Sequence, residues 1–394
     1  MELDKVFLRK FLDGAFSDPV ETKYWDGSIE RYGDGDSRFT IFINEHIPKR
    51  NILKDPFLAF GEAYMNKVID FKGNIQEIIE SIYRNKNSFL NKAELFQKIY
   101  KLASHSISKS KKDIQYHYDL GNEFYSLWLD ETMSYSCAYF KTKEDSLYEA
   151  QLNKIQHILK KLNLKNGERI LDIGCGWGEL IITAAKQYGV KALGITLSKE
   201  QFEKVKERIK ENCLEDQVEV KLVDYRELAE NNEQFDKIVS VGMLEHVGRK
   251  NLPVYMDTVN KLLKPEGVSL LHCITSQTES ETNQWIQKYI FPGGYIPSVR
   301  ELIGLMPDYN LHIVDLESLR LHYSKTLEYW AKNFEDAVDN VKKIKDEKFI
   351  RMWRLYLNSC AASFHYGVID IHQFLFTKGL NNNIPMTREY IYDK

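Results

Sequence analysis

From residue 168 onward the chain alternates short apolar runs with amphipathic helical runs, and this alternation restricts it to folds in which a parallel sheet is covered on both faces. ERILDIG reads as a strand, ELIITAAKQYG as a helix and VKALGIT as a strand; SKEQFEKVKERIKE follows as a helix, with Phe202, Val205 and Ile209 at helical spacing. VEVKLV, FDKIVSVG, LPVYMDTVNKLL and GVSLLHCIT continue the series as strand, strand, helix and strand. Parallel neighbours need long crossovers, which helices supply, so the expectation is an α/β domain with a largely parallel sheet. Ligands of such sheets bind outside the carboxyl ends of the strands. Residues 275–309 have no clear period and contain FPGGYIP, which is expected to form an insertion over that edge and act as a lid.

A chain of 394 residues holds about two domains. Residues 1–103 carry a helical pattern (Val6, Phe7, Phe11, Leu12), an alternating stretch (Phe39, Ile41, Ile43) and the run IQEIIESIYRNKNSFL, which predicts a smaller α+β domain. SHSISKSKKD, residues 104–113, is rich in Ser and Lys without apolar periodicity and is expected to be an exposed linker to a larger domain over 114–394. Lys+Arg 54 against Asp+Glu 57 gives a net charge of -3, so nothing in the overall charge favours nucleic acid. Five cysteines without a CxxC pair disfavour a disulfide framework and a structural zinc site. MELDKVFLRKFLDGAF has no apolar core of a signal peptide, and no run of about 18 apolar residues occurs. The expectation is a cytoplasmic protein that at most touches a membrane from outside.

The first strand of the alternating region runs into LDIGCGWGEL, with Asp172, Gly174, Gly176 and Gly178 spaced D-x-G-x-G-x-G. Glycines let a backbone turn sharply into a helix and pass close to a ligand. A dinucleotide site would use G-x-G-x-x-G with an acid at the end of the next strand, but that strand ends in GITLSKEQ, without an acid there. The pattern is that of S-adenosylmethionine methyltransferases, and GMLEHVG after IVSV strengthens it. The expected fold is the Rossmann-like class I methyltransferase fold, with Asp172 near the methionine part of the cofactor.

HYDLGNEFYSLWLDETMSYSCAYF (117–140), LDIGCGWGEL, GITLSKEQ, SVGMLEHVG, LLHCIT, FPGGYIPS and HYSKTLEYW, in this order, resemble cyclopropane-fatty-acyl-phospholipid synthases and the related mycolic-acid cyclopropane synthases. The resemblance spans about 114–376. The first hundred residues resemble the extra N-terminal domain of the phospholipid enzymes, which implies a lipid-access domain and a phospholipid substrate. It further implies transfer of a methylene from S-adenosylmethionine to a cis double bond of an acyl chain. A bound bicarbonate ion would act as base, held by the backbone of Cys137 and Ile274 and the side chains of Glu245, His272 and Tyr323. For the cofactor it implies Tyr135 and Ser136 at the methionine end and Gly174 and Gly176 in the loop. Thr196, Leu197 and Gln201 would lie at the ribose, and Tyr225 and Arg226 at the adenine, with Asp224 the alternative polar contact there.

Each of these residues has a plainer reading in isolation. His272 on SLLHCI would be a core histidine, Glu245–His246 a strand-end pair, Gln201 a solvated helix residue and Tyr323 an interfacial aromatic. Cys137 has no partner arrangement of a nucleophile, so only its backbone is assigned. Aromatic faces suit a cationic intermediate, and Tyr135, Phe140, Tyr295 and Tyr323 fall within the motifs. A buried double bond requires contact with phospholipid acyl chains at the membrane surface, so the expectation is peripheral association, through Lys109, Lys111 and Lys112, the KYIFPGGYIP segment or the N-terminal domain, with a homodimer left open. The alternatives are a methyltransferase on another lipid or an amine without ring closure, and a catalytically idle membrane-binding protein of the same fold.

Overall fold

The computed structural model describes residues 2–85, 120–280 and 282–392; the expected linker at 104–113, with its three lysines, lies outside them. The chain divides into two compact units.

The first unit comprises Met1–Lys101, Ser280–Pro292 and Leu327–Val368. Its sheet is formed by β1 (Val20–Tyr24), β2 (Ile29–Tyr32), β3 (Phe39–Ile43) and β4 (Ile69–Lys72), in the order β2-β1-β3-β4. Alternation in β1 and β3 sends Val20, Tyr24, Phe39, Ile41 and Ile43 into one core, together with Leu8, Phe11 and Leu12 of the helix Glu2–Asp13. Asn74 caps the helix Ile75–Arg84 by accepting from the Glu77 amide. This unit is α+β, and two of its segments come from beyond residue 114, where a continuous larger domain was expected. The physical reason is long-range packing. Arg351, on the helix Glu347–His365, donates to the carbonyls of Tyr64 and Ile69, and the Trp285 indole N–H reaches the Met65 sulfur at 3.3 Å.

The second unit comprises Leu102–Glu279, Gly293–Thr326 and Ile369–Lys394. Its strands are β5 (Arg169–Ile173), β6 (Lys191–Thr196), β7 (Val218–Leu222), β8 (Phe235–Val241), β9 (Leu263–Thr275), β10 (Leu311–Ser318) and β11 (Asp370–Lys378). They form one sheet in the order β10-β11-β9-β8-β5-β6-β7. β5 to β9 pair in parallel, each expected strand in its expected place, whereas β11 runs antiparallel to β9 and β10 antiparallel to β11. The antiparallel edge was not anticipated, because β11 is buried along almost its whole length and so shows no alternation that would mark it. Two apolar clusters hold the strands: one includes Ile155, Ile158, Leu159, Ile181 and Val205, the other Leu193, Tyr255, Met256, Leu271 and Phe374. The chain leaves β5 for β6 on one side and returns to β8 on the other, so the sheet has its topological switch at the carboxyl end of β5.

Within the span 275–309, Gln284–Tyr289 and Val299–Leu305 are helical, six and seven residues long, too short to print a period in the sequence. Ser298 and Glu301 close a capping box on the second.

Candidate active site

β5 delivers Asp172 to its carboxyl end, and the following turn is built from glycines with φ of +87° at Gly174 and +54° at Gly176, a left-handed region costly for other residues. A β-carbon on Gly174 would meet Met243 at 3.0 Å, while the space beside Gly176 is open. The turn forms the floor of a cavity in the second unit. All ten residues expected at the cofactor line it: Tyr135, Ser136, Asp172, Gly174, Gly176, Thr196, Leu197, Gln201, Tyr225 and Arg226.

Asp172 is buried, and its Oδ1 has no hydrogen-bond partner among the described residues. Burial pushes its carboxyl up to about 7, partly offset by the charge of Lys154. Such an oxygen fits a cationic ligand group. Ser198 caps the helix Lys199–Glu211, which brings Gln201 back over the end of β6, where its Oε1 accepts from the Thr196 hydroxyl at 2.8 Å. The Gln201 amide N–H₂ keeps its donors for a ligand hydroxyl. Arg226 is committed to Asp224, with Nε to Oδ1 and Nη2 to Oδ2 each at 2.8 Å, and its guanidinium lies 5.3 Å from the Tyr225 ring centre. Asp224 therefore spends both oxygens on Arg226, and Tyr225 remains as the flat surface at this end of the cavity.

The second constellation lies where β8 and β9 end. Glu245 sits in the turn after β8, between Met243 and His246, both of which line the cavity. Its Oε1 accepts from the Ile274 amide at 2.6 Å, and its Oε2 is buried without a partner among the described residues. Burial pushes the Glu245 carboxyl up to about 7. The Ile274 N–H thus serves Glu245 and is not open to an anion.

His272 is completely buried on β9 and stands opposite Gln373 of β11 in the antiparallel register. Gln373 Nε2 donates to His272 Nδ1 at 3.1 Å, which leaves the ring proton on Nε2, an atom buried without a partner among the described residues. Burial holds the imidazole down at about 3, so it is neutral at any working pH. Tyr323, also buried, lies on the helix Arg320–Asp336, its amide bonded to the Leu319 carbonyl. Leu319 in turn bonds the Ile371 carbonyl, and Ile371 pairs with Ile274, while the Cys137 thiol lies 3.9 Å from the Leu319 carbonyl. These contacts place Cys137, Tyr323 and Ile274 around one junction of the sheet edge. Burial raises the Cys137 thiol well above the usual range, which works against a thiolate.

Two side chains were missed by sequence reasoning. Gln373 lies 101 positions from the histidine it orients, and only the β9–β11 register joins them. Lys154 lines the cofactor cavity from the helix Leu147–Leu162. Its signal is a stripe of polar residues, Gln151, Lys154 and Lys161, on the buried side of that helix.

A glycine turn with open space and an unpartnered buried carboxylate oxygen fit S-adenosylmethionine. The buried N–H of His272 and the Glu245 carboxyl, when it carries its proton, are two donors that fit a small anion such as bicarbonate.

The family described as mycolic acid cyclopropane synthetase matches residues 105–374, and a domain of unknown function matches 7–94. A probable fatty acid methyltransferase of Pseudomonas putida is 36% identical over 383 residues, covering 95% of this chain and 96% of that protein. The cyclopropane-fatty-acyl-phospholipid synthase of Escherichia coli strain K12 is 44% identical over 273 residues, 69% of each chain. Among solved structures, the cyclopropane synthase MmaA2 of Mycobacterium tuberculosis superposes with a TM-score of 0.65 at 35% identity, over 68% of this chain and 98% of that one. The mycolic acid cyclopropane synthase CmaA1, complexed with S-adenosylhomocysteine and CTAB, does so with 0.64 at 33%, over the same shares. By the reach of the family match and these identities, the chain belongs to the mycolic acid cyclopropane synthetase family of S-adenosylmethionine-dependent methyltransferases.

Proposed function

We propose that this protein adds a methylene from S-adenosylmethionine across the cis double bond of unsaturated acyl chains in membrane phospholipids, forming cyclopropane fatty acids. The observation that carries the reading is the pair of buried atoms without partners among the described residues, Glu245 Oε2 and His272 Nε2, close in sequence and sheet register to the cofactor cavity. Methylation of an amine releases its proton from nitrogen, whereas ring closure needs a proton taken from the transferred methyl, and so a base beside that carbon.

When bound, S-adenosylmethionine supplies an electrophilic methyl group. The alkene π electrons form the new C–C bond as the C–S bond breaks with its electrons going to sulfur. An alkene is a weak nucleophile, so the protein contributes positioning and exclusion of water. A cation is left on the other alkene carbon, and an aromatic face such as that of Tyr135, which lines the cavity, would tolerate it. Loss of a methyl proton lets the C–H electron pair close the ring onto that carbon. A bicarbonate ion held by His272, Glu245, Tyr323 and the Cys137 backbone would supply the base. His272 donates from Nε2, in the tautomer set by Gln373, and Glu245 holds a proton or releases it near neutrality, which suits it to pass a proton onward.

The phospholipid assignment is supported by the name of the E. coli relative and by an N-terminal unit beyond the catalytic sheet. Among the described residues no helix is long and apolar enough to cross a membrane. Peripheral docking, with the N-terminal unit serving lipid access, is the corresponding mode. A second reading, methyl transfer without ring closure, is favoured by the names of the P. putida relative and of the tuberculostearic acid methyltransferase of M. tuberculosis, 34% identical over 384 residues. Incubation of the full chain with S-adenosylmethionine and vesicles of cis-unsaturated phospholipid separates the two. Acyl-chain mass spectrometry with proton NMR should show ring methylene signals; methyl-branched chains instead would support the second reading.

A further inference from the structure

Lys154 is 4% exposed and lines the cofactor cavity, yet no carboxylate among the described residues pairs with it. Among the described residues its ammonium has one side-chain partner, the Ser136 hydroxyl oxygen, to which it donates at 3.0 Å. A buried ammonium without an anionic partner is costly, by several kcal/mol in general, and proteins seldom keep one unless a ligand completes it. One turn earlier on the same helix, Gln151 Nε2 donates to the carbonyls of Ser134 and Ser136 at 3.2 and 3.0 Å, so the helix Leu147–Leu162 grips the segment that carries Ser136 twice. Because Ser136 Oγ accepts from Lys154, its own proton points elsewhere, and the pair presents two donors, one of them charged. The cavity also holds Asp172, whose buried Oδ1 lacks a partner among the described residues.

We infer that the cavity recognises the amino-acid end of S-adenosylmethionine as a zwitterion, Lys154 and Ser136 taking the carboxylate and Asp172 the ammonium. The inference rests on the cofactor assignment and adds Lys154 as a binding residue. It explains why an acid and a base are both buried in one cavity without forming an ion pair: each is matched to one charge of the ligand. Burial lowers the Lys154 ammonium and raises the Asp172 carboxyl, the directions expected of charges awaiting partners. The remaining carboxylates that act on Lys154 are Asp130, whose Oδ2 accepts from Thr132 and whose Oδ1 is buried without a partner among the described residues, and Glu179, which is paired with Arg208. Neither makes an ion pair with the ammonium, whose contact among the described residues is the Ser136 hydroxyl.

The test compares S-adenosylhomocysteine with its decarboxylated analogue, which keeps the amine and lacks only the carboxylate, by titration calorimetry on the full chain. The wild type should bind the analogue at least about 30-fold more weakly, the loss expected when a buried charged hydrogen-bond partner is removed. Lys154→Met should lose a similar factor for S-adenosylhomocysteine and little for the analogue, and Lys154→Arg should recover part of the loss. Equal binding of the two ligands by the wild type would overturn the inference whether or not the variants fold. So would an equal loss for both ligands in Lys154→Met, which would make the lysine structural. Failure of the wild type to bind S-adenosylhomocysteine at all would instead overturn the cofactor assignment.

Discussion

Gln373 donates to Nδ1 of His272 at 3.1 Å across the β9–β11 pair, and this one hydrogen bond decides which ring nitrogen carries the proton. Removing it should leave the cofactor cavity intact, because Gln373 does not line it. Gln373→Leu is therefore expected to lower kcat by about 10- to 100-fold, the usual cost of losing a partner that orients a functional histidine. The affinity for S-adenosylhomocysteine should stay within about twofold. Parallel loss of both quantities would mean that Gln373 supports the fold and not the tautomer.

Asp172 gives a pH dependence of binding. Its carboxyl is pushed up to about 7, so below that pH a proton must leave before the ligand's ammonium can pair with it. Affinity for S-adenosylhomocysteine should rise by up to about tenfold per unit as pH climbs toward 7, then flatten. Asp172→Asn should bind more weakly at pH about 8 and lose the slope; a slope that survives the substitution assigns it to another group.

Glu245 gives a pH dependence of stability. Its folded pKa, about 7, lies above its ordinary value, so the folded state binds the extra proton, and the stabilisation is present at low pH and lost as pH rises through 7. His272, held down at about 3, acts in the opposite sense below about pH 6.5, so a difference between proteins isolates Glu245 better than one curve. The Tm of Glu245→Gln minus that of the wild type should grow between about pH 5 and pH 8. A difference independent of pH would place the Glu245 carboxyl at its ordinary value.

The glycines separate binding from folding. A β-carbon on Gly176 would meet nothing within 4 Å, at a φ of +54°, so Gly176→Val should cost about 1–2 kcal/mol of stability and abolish cofactor binding by filling the ligand's space. On Gly194, at the centre of β6, it would lie 2.7 Å from Ile181 Cδ1 and 2.8 Å from Cys175 Sγ. Gly194→Val should therefore lower Tm sharply, by overpacking worth about 1–3 kcal/mol or more. Thermal melts and calorimetry on both variants check the contrast, and near-native cofactor affinity in Gly176→Val would contradict it.

What the sequence shows and hides follows the range of the interactions. Asp172, the glycine turn, Thr196 and Gln201 are legible because each lies within one strand-turn-helix unit, and the sheet delivers them to one cavity. The five parallel strands are legible for the same reason. Gln373 is not, because its role depends on a register between segments 101 residues apart. Lys154 reads as an ordinary helix lysine until the Ser136 hydroxyl is seen beside it. Trp285 and Arg351 likewise pack with residues more than 200 positions away, which is why no local composition shift marks 280–292 and 327–368 as part of the first unit.

The central claim, that a proton of the transferred methyl is lost as the ring closes, is tested most directly with S-adenosylmethionine carrying a fully deuterated methyl group and vesicles of cis-unsaturated phospholipid. The account predicts an acyl chain one carbon longer that retains two of the three deuterium atoms and has no alkene carbons by NMR. A product that retains all three deuterium atoms, or that keeps a carbon–carbon double bond, would contradict it.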